Sequence, residues 1–154
     1  MLDHALIQFL KSTFPAEMSP GLIGVGSFGS EIRRFLLDSG CPDPLLCDPP
    51  LSRDCAEEQF DAITTQWGNG MGGCNPVMPD YETYLPKEAL AKRCNWISVQ
   101  VPYSCGGPDA TSAVIDESFL SQCSPETVIL CLCNPLVVAE DVKKDSRIHF
   151  FPQV

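Results

Sequence analysis

The string Gly24-Val25-Gly26-Ser27-Phe28-Gly29 constrains this chain more than any other feature. It stands between the apolar run Leu22-Ile23-Gly24-Val25 and a segment, Ser27 to Ser39, that puts Phe28, Ile32, Phe35 and Leu36 on one helical face. An apolar run that passes through such a turn into an amphipathic helix opens a strand–turn–helix unit. Each glycine then has a mechanical reason. Gly24 allows the tight turn, Gly26 lets a pyrophosphate approach the backbone, and Gly29 lets helix and strand pack closely. The helix start at Ser27 and Phe28 offers free N–H groups and a positive dipole end to phosphates. A second apolar run, Leu45-Leu46-Cys47, ends at Asp48, 19 residues after Gly29. A carboxylate there accepts hydrogen bonds from both hydroxyls of an adenosine ribose and repels a 2′-phosphate. The expected ligand is therefore a dinucleotide, NAD rather than NADP. Pro49 and Pro50 stop the run and add no charge, and Arg53 is the one nearby cation.

The remaining pattern extends this unit. Leu2, Ala5, Leu6, Phe9 and Leu10 give a short amphipathic helix over 2–11, followed by a proline-marked connector to Pro20. Residues 1–20 thus lead into a dinucleotide-binding domain over 21–154. Gly40 is a natural stop for the helix that begins at Ser27. The stretch 51–85 is irregular, and Gly68-Asn69-Gly70-Met71-Gly72-Gly73 within it reads as a surface loop, since no Lys-Ser/Thr follows. Beyond it the pattern predicts a helix over 86–93 and a strand over 96–101 ending at Pro102. A helix over 116–122, a strand over 127–133, a helix over 136–144 and a last strand over 147–151 follow. Three of these strands are too apolar for a wet face, so the sheet is expected to be mostly parallel and covered on both sides. The fold expected of these 154 residues is a single-domain, Rossmann-like, doubly wound α/β structure.

Composition narrows the partners. Ten Lys+Arg against twenty Asp+Glu leave a net charge of −10, which would repel a phosphate backbone and disfavours nucleic acid. No apolar run approaches the ~20 residues that span a bilayer, and Met1-Leu2-Asp3-His4 lacks the basic region of a secretory signal. A cytoplasmic protein without membrane contact is expected. Nine cysteines occur with two histidines and without any Cys-x-x-Cys pair. Metal sites announce themselves by tighter ligand spacing, so the cysteines read as reduced, buried, small hydrophobes, with Cys131 and Cys133 on one strand face.

Several ordered segments together resemble a known family. Gly21-Leu-Ile-Gly-Val-Gly-Ser-Phe-Gly-Ser30 and Leu45-Leu-Cys-Asp-Pro-Pro50 are similar to the nucleotide-binding domain of D-2-hydroxyacid dehydrogenases. The Cys-Asp-Pro-Pro step looks most like the 4-phosphoerythronate branch of that family. Trp96-Ile-Ser-Val-Gln-Val-Pro102 resembles the family strand that ends in His-Thr-Pro, and Asp116–Leu120 with Val128–Cys133 resembles the helix and strand after it. The resemblance implies NAD as cofactor, lined by Val101, Pro102 and Asn134 in addition to the glycine turn and Asp48.

The same resemblance exposes departures. Asn134, followed by Pro135, stands where the family has a catalytic Arg, and Gln153 stands where it has a catalytic His. The family's Glu has no counterpart between Ala139 and Arg147, and no substrate domain is recognisable. A Gln cannot accept the hydroxyl proton, and loss of a positioned acid or base costs about 10²–10⁴ in rate. Asn134 can donate a hydrogen bond to a carboxylate but has neither charge nor fork. His149 sits in the last strand, where a packing role is expected. Three functions fit these residues. One is an NAD-binding module, the cofactor half of such a dehydrogenase, without turnover of its own. Another is an active oxidoreductase whose substrate residues come from a partner chain that supplies a substrate domain, or from side chains outside these motifs; a homo-oligomer is left open. The third is a non-catalytic interaction or remnant domain. The glycine set with Asp48 favours the first two, and Asn134 with Gln153 favours the first.

Overall fold

A computed structural model describes residues 2–24, 27–47, 85–100, 113–132 and 135–152. Helix α1 (His4–Ser12) starts where Asp3 accepts the Leu6 N–H at 2.8 Å, so its side chain satisfies one orphan donor of the first turn. Strand β1 (Pro20–Ile23) feeds helix α2 (Ser27–Asp38), and β2 (Leu45–Cys47) follows. The end of α2 is set by Gly40, whose φ of 85° only glycine adopts readily. Its N–H bonds the Leu37 carbonyl at 3.1 Å and the Cys41 N–H bonds that of Leu36 at 2.9 Å, which closes the helix. Helix α3 (Lys87–Arg93) carries Lys92 and Arg93 in its last turn, where cations suit the dipole. Then come β3 (Trp96–Val99), α4 (Glu117–Gln122) capped by Asp116, β4 (Val128–Cys131) and β5 (Ile148–Phe150).

Among the described residues five strands form one sheet in the order β2-β1-β3-β4-β5, every neighbouring pair parallel. The doubly wound α/β architecture expected from the strand chemistry is therefore the one observed. Strand alternation sorts the core into two layers. Leu22, Leu46, Trp96 and Leu130 face α1 and α2, where they meet Leu6, Leu10, Ile32 and Leu36. Ile23, Cys47, Ile97, Val99 and Ile129 face the other way, onto Leu90 of α3 and Phe119 and Leu120 of α4. At about 1.5–3 kcal/mol for each large apolar side chain removed from water, these two layers supply the main drive for folding.

Two local expectations are corrected. The stretch ending at Pro20 is not all connector, because β1 begins at Pro20, paired with Trp96. Asn95 holds it there. Its N–H donates to the Ser19 carbonyl at 3.0 Å and its side-chain oxygen accepts the Ser19 N–H at 2.8 Å. Pro20 is tolerated as the first residue of the strand. The helix expected over 136–144 is instead two short 3-10 turns, Pro135–Val137 and Glu140–Val142. Between them Val138 bridges Ile115. The Val137 carbonyl accepts both the Val114 and Ile115 N–H groups, and the Ala139 N–H goes to the Ile115 carbonyl. Backbone groups claimed by a distant segment cannot also serve a helix. No helix among the described residues is long and apolar enough to cross a membrane.

Candidate functional site

The strand order reverses at β1, which has β2 on one side and β3 on the other. In an open parallel sheet the crevice outside the carboxyl ends of the strands at such a point is where ligands bind. Gly24 leaves β1 there and Gln100 leaves β3 beside it. Gly24 has a φ of 94°, so the turn needs a residue without a side chain. Its N–H donates to the Cys47 carbonyl at 2.7 Å, which ties the turn to the end of β2.

The Gly24 carbonyl is held from two sides. Gln100 Nε2 donates to it at 2.5 Å, and the Gln100 N–H donates to the Ile23 carbonyl at 3.0 Å. Gln100 Oε1 in turn accepts the Ser98 hydroxyl at 2.7 Å. Both side chains are buried, Ser98 at 0% and Gln100 at 3% exposure, so each polar atom in this chain of bonds matters. From the other side comes α2. A Cβ at Gly29 would collide with the Gly24 carbonyl oxygen and lie 3.4 Å from Gln100 Nε2. The first turn of α2 therefore packs directly on the glycine turn, and only glycine permits it. Phe28, half-buried, packs against the core layer shared by α1 and α2.

The structure thus brings Gly24 and Gly29 together and places Ser27 and Phe28 in the first turn of α2. Gly26, Asp48, Val101, Pro102, Asn134 and Gln153 lie outside the described residues, as does the glycine-rich stretch 68–73. Ser98 and Gln100 were not singled out by sequence reasoning. Their signal was present, since two polar residues at i and i+2 interrupt one face of an otherwise apolar strand. The residues assembled around the turn, Gly24, Gly29, Ser98 and Gln100, are all neutral. They can shape a backbone cradle at a helix N-terminus, where an anion is stabilised by N–H groups and the dipole rather than by a cation.

Other candidate chemistry lies elsewhere. His149 is exposed on β5, separated from β1 by β4 and β3, so it is not a packing residue. Cys47, Cys94 and Cys131 are buried and Cys41 and Cys123 half-buried. Burial pushes the Cys94 and Cys123 thiols up to about 11, which keeps them protonated and fits the small-hydrophobe reading. Among the described residues no cluster of His, Cys, Asp or Glu could hold a metal ion.

No protein-family model matches the chain. Over 110 residues it is 32% identical to an erythronate-4-phosphate dehydrogenase of Porphyromonas gingivalis, a match covering 71% of this chain and 23% of that protein. It is 25% identical over 118 residues to the enzyme of the same name from Klebsiella pneumoniae, covering 77% of this chain and 25% of the relative. The chain therefore spans about a quarter of the length of these curated relatives. Among solved structures a phosphoglycerate oxidoreductase from Vibrio cholerae superposes with a TM-score of 0.52. That likeness covers 87% of this chain and 36% of the other, and at 15% identity it concerns the fold alone.

Proposed function

We propose that this chain, which is similar to erythronate-4-phosphate dehydrogenases of the D-2-hydroxyacid dehydrogenase family over most of its length, binds NAD at the glycine turn and does not turn over a hydroxy acid on its own. The observation that carries the reading is the turn after β1. A positive-φ Gly24, a Gly29 that admits no Cβ and a helix of 12 residues behind them meet where the sheet order reverses. These features fit a dinucleotide phosphate, because they bring a glycine turn and a helix N-terminus to one point. Gly24, Gly26, Ser27, Phe28 and Gly29 would hold the pyrophosphate, Asp48 the adenosine ribose, and Val101, Pro102 and Asn134 the remainder. The cofactor, when bound, supplies a hydride acceptor. Gln153 can accept no proton from a substrate hydroxyl, and Asn134 offers a carboxylate one neutral donor where the family has a guanidinium.

Thermal melts with NAD and with NADP at equal concentration test the binding half. A ligand at 100 Kd stabilises the folded chain by about 2.7 kcal/mol. NAD is expected to raise Tm more than NADP, and the reverse order would remove the role assigned to Asp48. An absorbance assay of NAD reduction with 4-phosphoerythronate or simple D-2-hydroxy acids tests the other half. No substrate-dependent turnover is expected. Robust turnover by the chain alone would overturn the reading, and turnover only after adding a second protein would point to a split enzyme.

A further inference from the structure

We infer that Gln100 is a positioning residue that sets the shape of the glycine turn, and through it the affinity for the dinucleotide, with Ser98 anchoring its side chain. The inference rests on the NAD-binding reading and adds to it a residue outside the glycine motif. Gln100 makes a three-way connection at the switch point. Its backbone N–H holds the last residue of β1 at the Ile23 carbonyl, and its side-chain N–H holds the Gly24 carbonyl one residue further on. In a planar trans peptide the N–H points opposite the carbonyl, so pinning the Gly24 carbonyl fixes the whole peptide plane at the mouth of the turn. A glycine with φ of 94° has several accessible backbone conformations, and something must select one. Gln100 makes that selection from beneath, while the first turn of α2 closes over the same oxygen at Gly29.

The Gly24 carbonyl can only accept, so it decides which way the Gln100 amide faces, and Ser98 anchors the other end of that amide. The Ser98 hydroxyl donates to Oε1 at 2.7 Å, while Nε2 is directed at Gly24. A reversed amide would set a carbonyl oxygen against the Gly24 carbonyl, and in a site this buried that is costly. A side chain that only filled core volume would need neither bond, and an apolar residue would serve.

The test uses the whole chain, NADH fluorescence to measure affinity, and thermal melts and circular dichroism to measure folding. Gln100→Met keeps the volume and removes both side-chain bonds. It is expected to stay folded while the Kd for NADH rises about tenfold, the effect of about one well-placed hydrogen bond. Ser98→Ala leaves the amide able to donate but no longer anchored at its oxygen, and is expected to raise Kd a few-fold. Ile148→Val in β5, remote from the turn, controls for general loosening and should lower Tm without changing Kd. A folded Gln100→Met chain with wild-type Kd would overturn the inference. Should that variant fail to fold, unchanged Kd in Ser98→Ala would overturn it. A wild-type chain that binds no NADH would refute the function proposed above, an outcome distinct from wild-type binding that Gln100→Met leaves untouched.

Discussion

The two ends of the parallel sheet are built from different chemistry. At the end where strands begin, side chains tie separate segments together. Asn95 accepts the Ser19 N–H and donates to the Glu17 carbonyl at 2.6 Å, and Ser19 Oγ reaches the Arg93 carbonyl at 3.0 Å. Trp96 Nε1 donates to Thr13 Oγ1 at 2.9 Å, which fastens the end of α1 to β3. Before β5, Arg147 grips Asp145 through Nε and one terminal nitrogen at 2.9 and 2.8 Å, and its other nitrogen reaches the Leu120 carbonyl beneath α4. At the end where β1 and β3 finish, the described residues that shape the turn are a glycine with positive φ and one buried amide, and Lys87 Nζ ties the start of α3 to the Val114 carbonyl at 2.7 Å. The difference separates tasks. Side chains that bridge segments hold the starting end together, whereas at Gly24 a buried side chain shapes the main chain itself.

Substitutions at the two ends should therefore move different observables. The largest effect is expected from Gly26→Val, which should abolish NAD binding in a folded chain because its side chain would occupy space the pyrophosphate needs. Isothermal titration checks it, and unchanged affinity would mean the crevice is used differently. Gly29→Ala comes next. Its Cβ must displace the Gly24 backbone, so stability should fall by about 1–3 kcal/mol and NAD affinity with it, read by denaturant unfolding alongside titration.

At the opposite end only stability should change. Hydrogen bonds from the Arg147 side chain and backbone lower the Asp145 carboxyl from 3.8 to about 2. Since the folded value lies below the unfolded one, the stabilisation is present above pH 4 and lost as pH falls toward 2. Asp145→Asn should cost about 1–2 kcal/mol at pH 7, discounted for partial exposure, and should flatten the loss of stability between pH 4 and pH 2. Urea unfolding across that range measures it, and an unchanged acid slope would remove the role of the pair. The smallest effect is expected of Asn95→Ala, about 1 kcal/mol because its bonds are exposed, with NAD affinity intact. A shift in NAD affinity for either variant would break the division between the two ends.

What the sequence revealed and hid follows the same physics. Elements defined by local chemistry were legible. Leu6 and Leu10 mark one helical face, Gly40 a stop, and the apolar runs at 22–23, 45–47 and 128–131 the strands β1, β2 and β4. The turn at Gly24 was legible because its glycines are contiguous in sequence. Long-range partners were not. Gln100 reaches a carbonyl 76 residues away, and no local pattern announces that. The strand start at Pro20 depends on Asn95, and the broken helix over 136–144 depends on Ile115 capturing the backbone of Val137 and Ala139. In each case a distant segment decided what the local pattern left open.

Hydrogen–deuterium exchange of the wild-type chain with and without NADH tests the central claim most directly, because it reports where a ligand sits as well as whether it binds. The account predicts slowed exchange in peptides spanning residues 24–30 and 98–101, at the finishing ends of β1 and β3. Peptides spanning 13–19 and 143–147, at the starting ends, should exchange as before. Protection at the starting ends, or none in the peptides that contain Gly24 and Gln100, would contradict it.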